Sequence, residues 1–433
     1  MENGEKVVAR MAPSPTGYFH IGSVRTALFN FLFARKNKGT FIFRSEDTNN
    51  ERSKKEFEDN ILDSLKWLGL SYDKFMRQSD RTEVYISYLK KMIENGSAYF
   101  SKEEPKEGES RTEVIRLKNP NKKIVFEDLV RGKVEFDTTE SGDFVIAKSL
   151  TEPLYHLAVV VDDHETGATH VIRGEDILSS TPRQILIQEA IGAKRPIYAH
   201  IPLILAPDRS KLSKRFGATS LTEYKNQGFL PEAILNYMAL LGWNPGTEKE
   251  IFSLDELIEE FDISRVQKGG AIFDMTKMLW VNKQHILRQS HESQIKNLKL
   301  QVQNEKLNDQ DFTNKFLKII LNRIHRWGEV KEIMAAGEFD YLFNDPEINP
   351  GMVPWKKQSK EDAKKNLEKV LSILDDKGKI MRLAEEEGKG DVLWPLRTAL
   401  SGREKSPDPF TLIDILGLSE SKKRILKAIE LLS

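Results

Sequence analysis

Residues 6–35 constrain this chain more than any other stretch. Lys6-Val7-Val8-Ala9-Arg10 reads as a short buried strand, and Val24 to Arg35 sets Val24, Leu28, Phe31 and Leu32 at helical spacing. Between them lies Ala12-Pro13-Ser14-Pro15-Thr16-Gly17-Tyr18-Phe19-His20-Ile21-Gly22-Ser23, a turn that carries a strand directly into a helix. Two prolines stiffen it, and Gly17 and Gly22 remove side chains where a ligand's atoms could approach. The start of a helix offers unpaired N–H groups and the positive end of a dipole, both suited to phosphate. The ring of His20 can donate a hydrogen bond to the same anion. Taken alone, such a turn is more often a tight connection, and a lone histidine is more often structural.

Further along, the chain makes several more charged strand ends. Thr40 to Arg44 is a second buried strand, ending in Ser45-Glu46-Asp47-Thr48 with Arg52 close behind. In an open parallel sheet ligands bind at the carboxyl ends of strands, so these acids either hold an ammonium group or cap the next helix. Helical patterns run from Lys54 to Leu68 and from Thr82 to Asn95. Short β-like runs then occupy 97–150, at Glu113–Leu117, Ile124–Phe126, Val134–Phe136 and Phe144–Ala147, and mark an insertion between two halves of a sheet.

The second half opens with Pro153-Leu154-Tyr155-His156, a helical turn that runs on to Asp162-Asp163. The next strand, Thr169-His170-Val171-Ile172-Arg173, ends in Gly174-Glu175-Asp176. Arg173 makes either a surface ion pair with Glu175 or Asp176, or a buried planar fork for a carboxylate. Thr181 is the expected cap of the following helix, with Pro182 at its first position. A last strand, Ile197 to Ala206, delivers Lys211-Leu212-Ser213-Lys214-Arg215, which sets three cations beside a small hydroxyl. That loop is either a solvated basic segment or a second phosphate contact. From Pro231 the pattern is helical, over Pro231–Leu241, Ser253–Phe261 and Asp274–Gln289. Beyond Gln289 it reads as two helical bundles, with polar breaks near Asn349-Pro350-Gly351 and Gly388-Lys389-Gly390.

With 433 residues the chain has room for several domains. Lys plus Arg and Asp plus Glu each total 66, so net charge argues against a strongly basic, non-specific nucleic-acid binder but not against local basic patches. There is no cysteine, hence no disulfide framework and no thiolate metal site. The first residues do not read as a signal peptide and no apolar run approaches a membrane span, so a cytoplasmic protein without membrane contact is expected.

Together, Ala12 to Ser23 and Lys211 to Arg215 resemble the signature pair of class I aminoacyl-tRNA synthetases, His-Ile-Gly-His and Lys-Met-Ser-Lys-Ser. Ala-Pro-Ser-Pro-Thr-Gly resembles the bacterial glutamyl-tRNA synthetase family in particular, and the likeness covers nearly all of 6–285. Ser23 stands where the generic motif has its last histidine, a position that varies in this family. Arg44 to Arg52 is similar to the family's Arg-x-Glu-Asp-Thr-Asp-x-x-Arg, with Asn49 where Asp is usual.

The resemblance implies an α/β fold. A Rossmann-type parallel-sheet catalytic domain (1–96 and 151–220) carries an inserted α+β acceptor-binding domain (97–150). A helical stem-contact domain (221–289) and an all-helical anticodon-binding region (290–433) follow. It implies ATP-dependent activation of L-glutamate and its transfer to the 3′ end of tRNA(Glu). His20, Lys211 and Lys214 are then catalytic. Arg10, Ser14, Glu46, Tyr155 and Arg173 bind glutamate, with Glu46 on the α-amino group. His20, Gly22, Asp176, Lys211, Ser213 and Lys214 bind ATP, which brings Mg2+. No structural zinc is expected, and a monomer is. Arg323, Arg326, Trp327, Trp355 and Arg397 are candidates for stacking on or pairing with anticodon bases. Charging of tRNA(Gln) as well is left open. A catalytically idle tRNA-binding homologue is the reading from a different class, and it is disfavoured because His20, Lys211 and Lys214 are all present.

Overall fold

A computed structural model of the chain describes residues 6–49, 51–103, 113–210, 212 and 220–433. The chain forms two compact units, Met1–His285 and Ile286–Ser433. In the first, β1 (Val8–Met11), β2 (Thr40–Ser45) and β3 (Lys74–Arg77) pair in parallel, with Arg10 opposite Ile42 and Arg44 opposite Met76. The helices α1 (Ile21–Lys36), α2 (Lys55–Leu68) and α3 (Thr82–Glu94) follow the successive strands. Most of α1 is buried, including Val24, Leu28, Phe29 and Leu32. Because apolar residues surround it, its amphipathic signal is weak, and its start lies at Ile21 rather than at the Val24 that spacing suggested. Gly22 and Ser23 belong to its first turn, and His20 is its N-cap.

The inserted stretch carries strands throughout its described residues: β4 (Ala98–Lys102), β5 (Glu113–Leu117), β6 (Lys123–Asp128), β7 (Gly132–Asp137) and β8 (Phe144–Ser149). They go to two different sheets. The strands β4, β5 and β8, joined by β9 (Glu152–Pro153), form an antiparallel sheet in the order β4-β5-β8-β9. The hairpin β6–β7 leaves them and joins the catalytic sheet.

After α4 (Tyr155–Glu165), β10 (His170–Gly174), α5 (Thr181–Ile191) and β11 (Ile197–Ile201), the second sheet runs β10-β11-β6-β7. The strand β10 lies beside β1. The Thr169 N–H donates to the Val8 carbonyl at 3.0 Å, and the Val8 N–H donates to Thr169 Oγ1 at 2.8 Å. The parallel order β3-β2-β1-β10-β11 thus reverses direction between β1 and β10, the crevice where open α/β sheets bind ligands. Asn30 fastens α1 over that junction by donating to the Ile172 carbonyl at 2.9 Å.

Next come β12 (Ile204–Leu205), α6 (Leu221–Asn226), α7 (Pro231–Leu240), α8 (Leu254–Glu260), β13 (Ala271–Ile272) and α9 (Met275–Arg288). The helices α7 and α8 pack on α1. A capping box of Ser253 and Glu256 starts α8, within the stretch Ser253–Phe261 that reads as helical in the sequence.

The second unit consists of α10 (His291–Gln301), α11 (Gln310–Arg323), α12 (Gly328–Ala335), α13 (Asp340–Phe343), α14 (Lys360–Leu371), α15 (Lys377–Glu387), α16 (Lys389–Ser401) and α17 (Pro409–Leu431). The break near Asn349 falls between α13 and α14, whereas the one at Gly388-Lys389-Gly390 is narrower than expected: only Gly388 lies between α15 and α16. The two expected bundles are nevertheless one unit, because the buried Arg424 of α17 donates to the carbonyls of Tyr341, Asn344 and Leu400.

One close approach fixes how α1 returns to the sheet. A Cβ on Gly39 would collide with the Val7 backbone carbonyl, which accepts the Thr40 N–H at 2.7 Å. We expect Gly39→Ala to destabilise the first unit by about 1–3 kcal/mol, read as a fall of a few degrees in its thermal midpoint; an unchanged midpoint would show that the β1–β2 crossing yields freely.

Candidate active site

A cavity of about 620 Å³ opens where β1 and β10 diverge. Arg10, His20, Gly22, Glu46, Tyr155, Arg173 and Asp176 all line it, although they lie as far as 166 residues apart in the chain. Ser14 does not line the cavity; it is exposed, and its carbonyl accepts the Thr16 N–H at 2.8 Å. Lys211, Ser213 and Lys214 lie outside the described residues, while Leu212 between them lines the cavity.

At the mouth, His20 Nδ1 accepts the Ser23 N–H at 3.3 Å, and Ser23 Oγ lies 2.9 Å from Nε2. With Nδ1 accepting, the ring carries its proton on Nε2. His20 therefore caps the helix itself, so one of the N–H groups expected to face a ligand is taken. Ser23, the departure from the generic motif, holds the ring through both its backbone and its hydroxyl.

The floor is a buried ion network. Asp163 accepts from Arg10 Nε at 3.1 Å and Nη2 at 3.3 Å, and from Arg44 Nη1 at 2.6 Å. Arg44 Nη2 donates to Glu46 at 3.0 Å. The neighbouring Asp162, wholly buried, accepts from Gln78 Nε2 at 2.8 Å, Arg81 Nε at 2.6 Å and Tyr85 Oη at 2.9 Å. Both acids lie in the last turn of α4, the end where a helix dipole disfavours negative charge, and the arginines supply the opposing charge.

Burial works against the Arg44 charge, but Asp163, Glu46 and Asp162 outweigh it and hold the guanidinium above its ordinary value. Burial likewise opposes ionisation of Asp163, and Arg10 and Arg44 reverse that, keeping its carboxyl below the usual range. For Glu46 burial prevails over Arg44, and its carboxyl is raised.

Arg173 is buried, with 4% of its surface exposed, and it makes no ion pair with Glu175 or Asp176. It donates through Nε to His200 Nε2 at 3.0 Å, through Nη1 to Gln184 at 2.7 Å and through Nη2 to Thr181 Oγ1 at 2.8 Å. Thr181 is therefore not the expected cap. A 3-10 turn over Glu175–Ser180 runs straight into α5, whose N-cap Ser180 makes no side-chain cap bond, and the Thr181 hydroxyl serves Arg173 instead. Glu175 accepts from Arg131 and from the Leu203 N–H. Arg25, also lining the cavity, donates to the carbonyls of Leu241 and Pro202, and burial lowers its pKa to about 10.

Several of these residues were quoted in sequence runs without a role, among them Arg44, Asp162 and Asp163. The signal was there: charged residues inside otherwise unbroken apolar runs, Phe41-Ile42-Phe43-Arg44 and Val159-Val160-Val161-Asp162-Asp163. Asp128, Arg131 and His200 had none, since only the sheet register brings them to Arg173. A second cavity of about 550 Å³ adjoins the first at Tyr155 and is lined by Thr48, Gln78, Ser79, Lys148 and Thr151 among others.

Of the anticodon candidates, Trp327 is buried core, and its Nε1 donates to Gln289 at 3.2 Å. Trp355 and Trp394 stand 4.6 Å apart between centroids, with Lys356 over one ring and Arg397 over the other. Arg323 pairs with Glu338, and Arg326 pairs with Glu332.

A nucleotide-sized crevice at the sheet's reversal point, with a helix start and a histidine at its mouth, defines a class I synthetase catalytic domain. The family described as "tRNA synthetases class I (E and Q), catalytic domain" matches residues 6–113 and 101–280, and "Anticodon binding domain" matches 289–429. A glutamate–tRNA ligase of Carboxydothermus hydrogenoformans is 42% identical, over 97% of this chain and 99% of its own length. That of Aquifex aeolicus is 38% identical, over 99% and 100%. The crystal structure of a glutamate tRNA ligase from Elizabethkingia meningosepticum in complex with its amino acid superposes with a TM-score of 0.88 at 32% identity, covering 99% of this chain and all of that one. The chain belongs to the glutamate–tRNA ligase family.

Asp163→Asn leaves Arg10 and Arg44 buried without the charge of the carboxylate they share. We expect it to cost about 3–5 kcal/mol, measured as a lower thermal midpoint of the first unit in the full chain. A variant that melts like the wild type would mean that the ion network is not what holds β1, β2 and α4 together.

Proposed function

We propose that the 620 Å³ cavity is where this glutamate–tRNA ligase activates L-glutamate with ATP before passing it to the 3′ end of tRNA(Glu). The supporting observation is the charge of the lining. Among the described residues it holds three guanidiniums, of Arg10, Arg25 and Arg173, against two carboxylates, of Glu46 and Asp176. That surplus suits glutamate, whose two carboxylates and one ammonium leave it a net negative charge.

In this reading Arg10 and Arg173, with Tyr155, hold glutamate, and Glu46 receives its α-amino group. Gly22, the start of α1 and His20, its Nε2–H exchanging Ser23 Oγ for a phosphate oxygen, face the triphosphate, and Asp176 faces the ribose. Lys211, Ser213 and Lys214 supply two cations and a hydroxyl to the phosphates. An α-carboxylate oxygen attacks the α-phosphorus and pyrophosphate leaves. The terminal ribose hydroxyl of tRNA then attacks the activated carbonyl and AMP leaves. Charge builds on phosphate oxygens in the first step, so oriented donors and cations matter more there than a general base. Mg2+ comes with ATP and neutralises the triphosphate. In the same reading the tRNA end reaches the carbonyl past Tyr155 from the adjoining 550 Å³ cavity, which Tyr155 also lines.

Glutamine has almost the shape of glutamate, so charge must separate them. A guanidinium cannot accept, and it leaves the glutamine NH2 unpaired. We expect Arg173→Gln to weaken glutamate use by about 2 kcal/mol and to narrow the preference over glutamine, with the ATP KM little changed. Charging kinetics with both amino acids decide this; retention of kcat/KM and preference would remove Arg173 from the pocket.

Acidity gives a second test. The carboxyl of Glu46 is raised, so it takes up its proton at a higher pH than an ordinary glutamate and then loses its attraction for an ammonium group. The glutamate KM should rise as pH falls through that range, and Glu46→Gln should start high and stay flat. A pH profile of KM identical in the two proteins would clear Glu46 of this role.

A further inference from the structure

The inserted hairpin reaches the amino-acid pocket through one histidine. In the sheet register Arg173 on β10 lies directly opposite His200 on β11, and the next strand outward is β6, which ends in Asp128. His200 and Asp128 are both completely buried in their side chains. Asp128 Oδ2 accepts from His200 Nδ1 at 2.6 Å, and the same carboxylate accepts the backbone N–H groups of His200, Val130 and Arg131 at 2.9–3.2 Å. On the far side of the ring, Nε2 receives the Arg173 Nε–H at 3.0 Å.

A neutral imidazole has one donor and one acceptor, so its partners settle which nitrogen is which. A carboxylate at Nδ1 demands the proton there, which leaves the Nε2 lone pair for Arg173. Burial holds His200 below its ordinary value, which keeps the ring neutral and that lone pair available. Were the tautomer reversed, an N–H would point at a guanidinium N–H and push it away.

We propose that Asp128 and His200 are positioning residues for glutamate: Asp128, from the inserted segment, fixes the His200 tautomer that aims the Arg173 guanidinium into the cavity. This rests on the reading of Arg173 as a glutamate-binding residue. Asp128 is well placed for the task because its turn is clamped. Arg131 donates to the His200 carbonyl at 3.1 Å, to the Lys268 carbonyl at 2.7 Å and to Glu175, so the hairpin end cannot drift from β11.

The test uses the full-length enzyme in amino-acid-dependent charging, with KM for glutamate and for ATP, kcat and thermal midpoint measured for each variant. Asp128→Asn keeps the shape and the acceptor for the turn, but offers an NH2 to Nδ1 and so reverses the tautomer. It should raise the glutamate KM at least about tenfold, the loss expected from one buried hydrogen bond to a charged group, with the ATP KM unchanged. His200→Asn, which keeps a donor for Asp128 but has no acceptor at the Nε2 position, should do the same. His200→Gln puts an amide oxygen near Nε2 and should stay within about threefold of the wild type.

The inference is overturned if Asp128→Asn and His200→Asn leave the glutamate KM at the wild-type value. Should Asp128→Asn fail to fold, the contrast between His200→Asn and His200→Gln decides, and equal KM values refute the tautomer role. Arg173→Gln is the control: if it leaves the glutamate KM unchanged, the pocket reading itself has failed. If it raises that KM while the Asp128 and His200 variants do not, only the positioning role has.

Discussion

Everything at the site depends on two adjacent carboxylates, Asp162 and Asp163, placed in the last turn of a buried helix. Burying an acid costs several kcal/mol unless it is paired, and at a helix carboxyl end the dipole adds to the cost. This fold meets the cost with Arg10 from β1, Arg44 from β2 and Arg81 from the turn before α3. The helix α4 belongs to the second half of the sheet and the arginines to the first, so the network also joins the two halves. Its by-product is that Arg10, which lines the cavity, is held in fixed geometry before any substrate arrives.

A site built this way is organised in advance. Arg10 is aligned by Asp163, Arg173 by His200, Gln184 and Thr181, and His20 by Ser23. Arg10 and Arg173 spend part of their hydrogen-bonding capacity on the protein and keep the rest for the cavity. The inserted segment adds to this order. Its strands β4, β5 and β8 build a sheet of their own, while β6 and β7 extend the catalytic one, so the insertion contributes to the catalytic core as well as extending from it.

Much of this was legible in the residues. The strand–turn–helix of 6–35, the acid-bearing end of β2 and the Arg173 strand could be read from spacing, and the distinctive Ala12–Gly17 string pointed to the family that the comparisons bear out. Seven of the residues singled out in the sequence line one cavity. Thr181 was misread because a hydroxyl before a proline looks like a cap, and its sequence neighbours give no hint that an arginine eight positions earlier in the chain claims it.

The sequence by itself determined the order of elements, the turn chemistry and the identity of the charged residues at strand ends, since these are set by neighbours within a few positions. Only the tertiary structure decided what those charges do. Arg10 meets Asp163 across 153 residues, His200 meets Asp128 across 72, and Arg44 is satisfied from α4 rather than from its own strand end alone. The reason is physical: a buried charge must find a partner at about 3 Å, and in a parallel sheet that partner comes from a neighbouring strand or helix, whose position in the chain follows from topology and register and leaves no local trace.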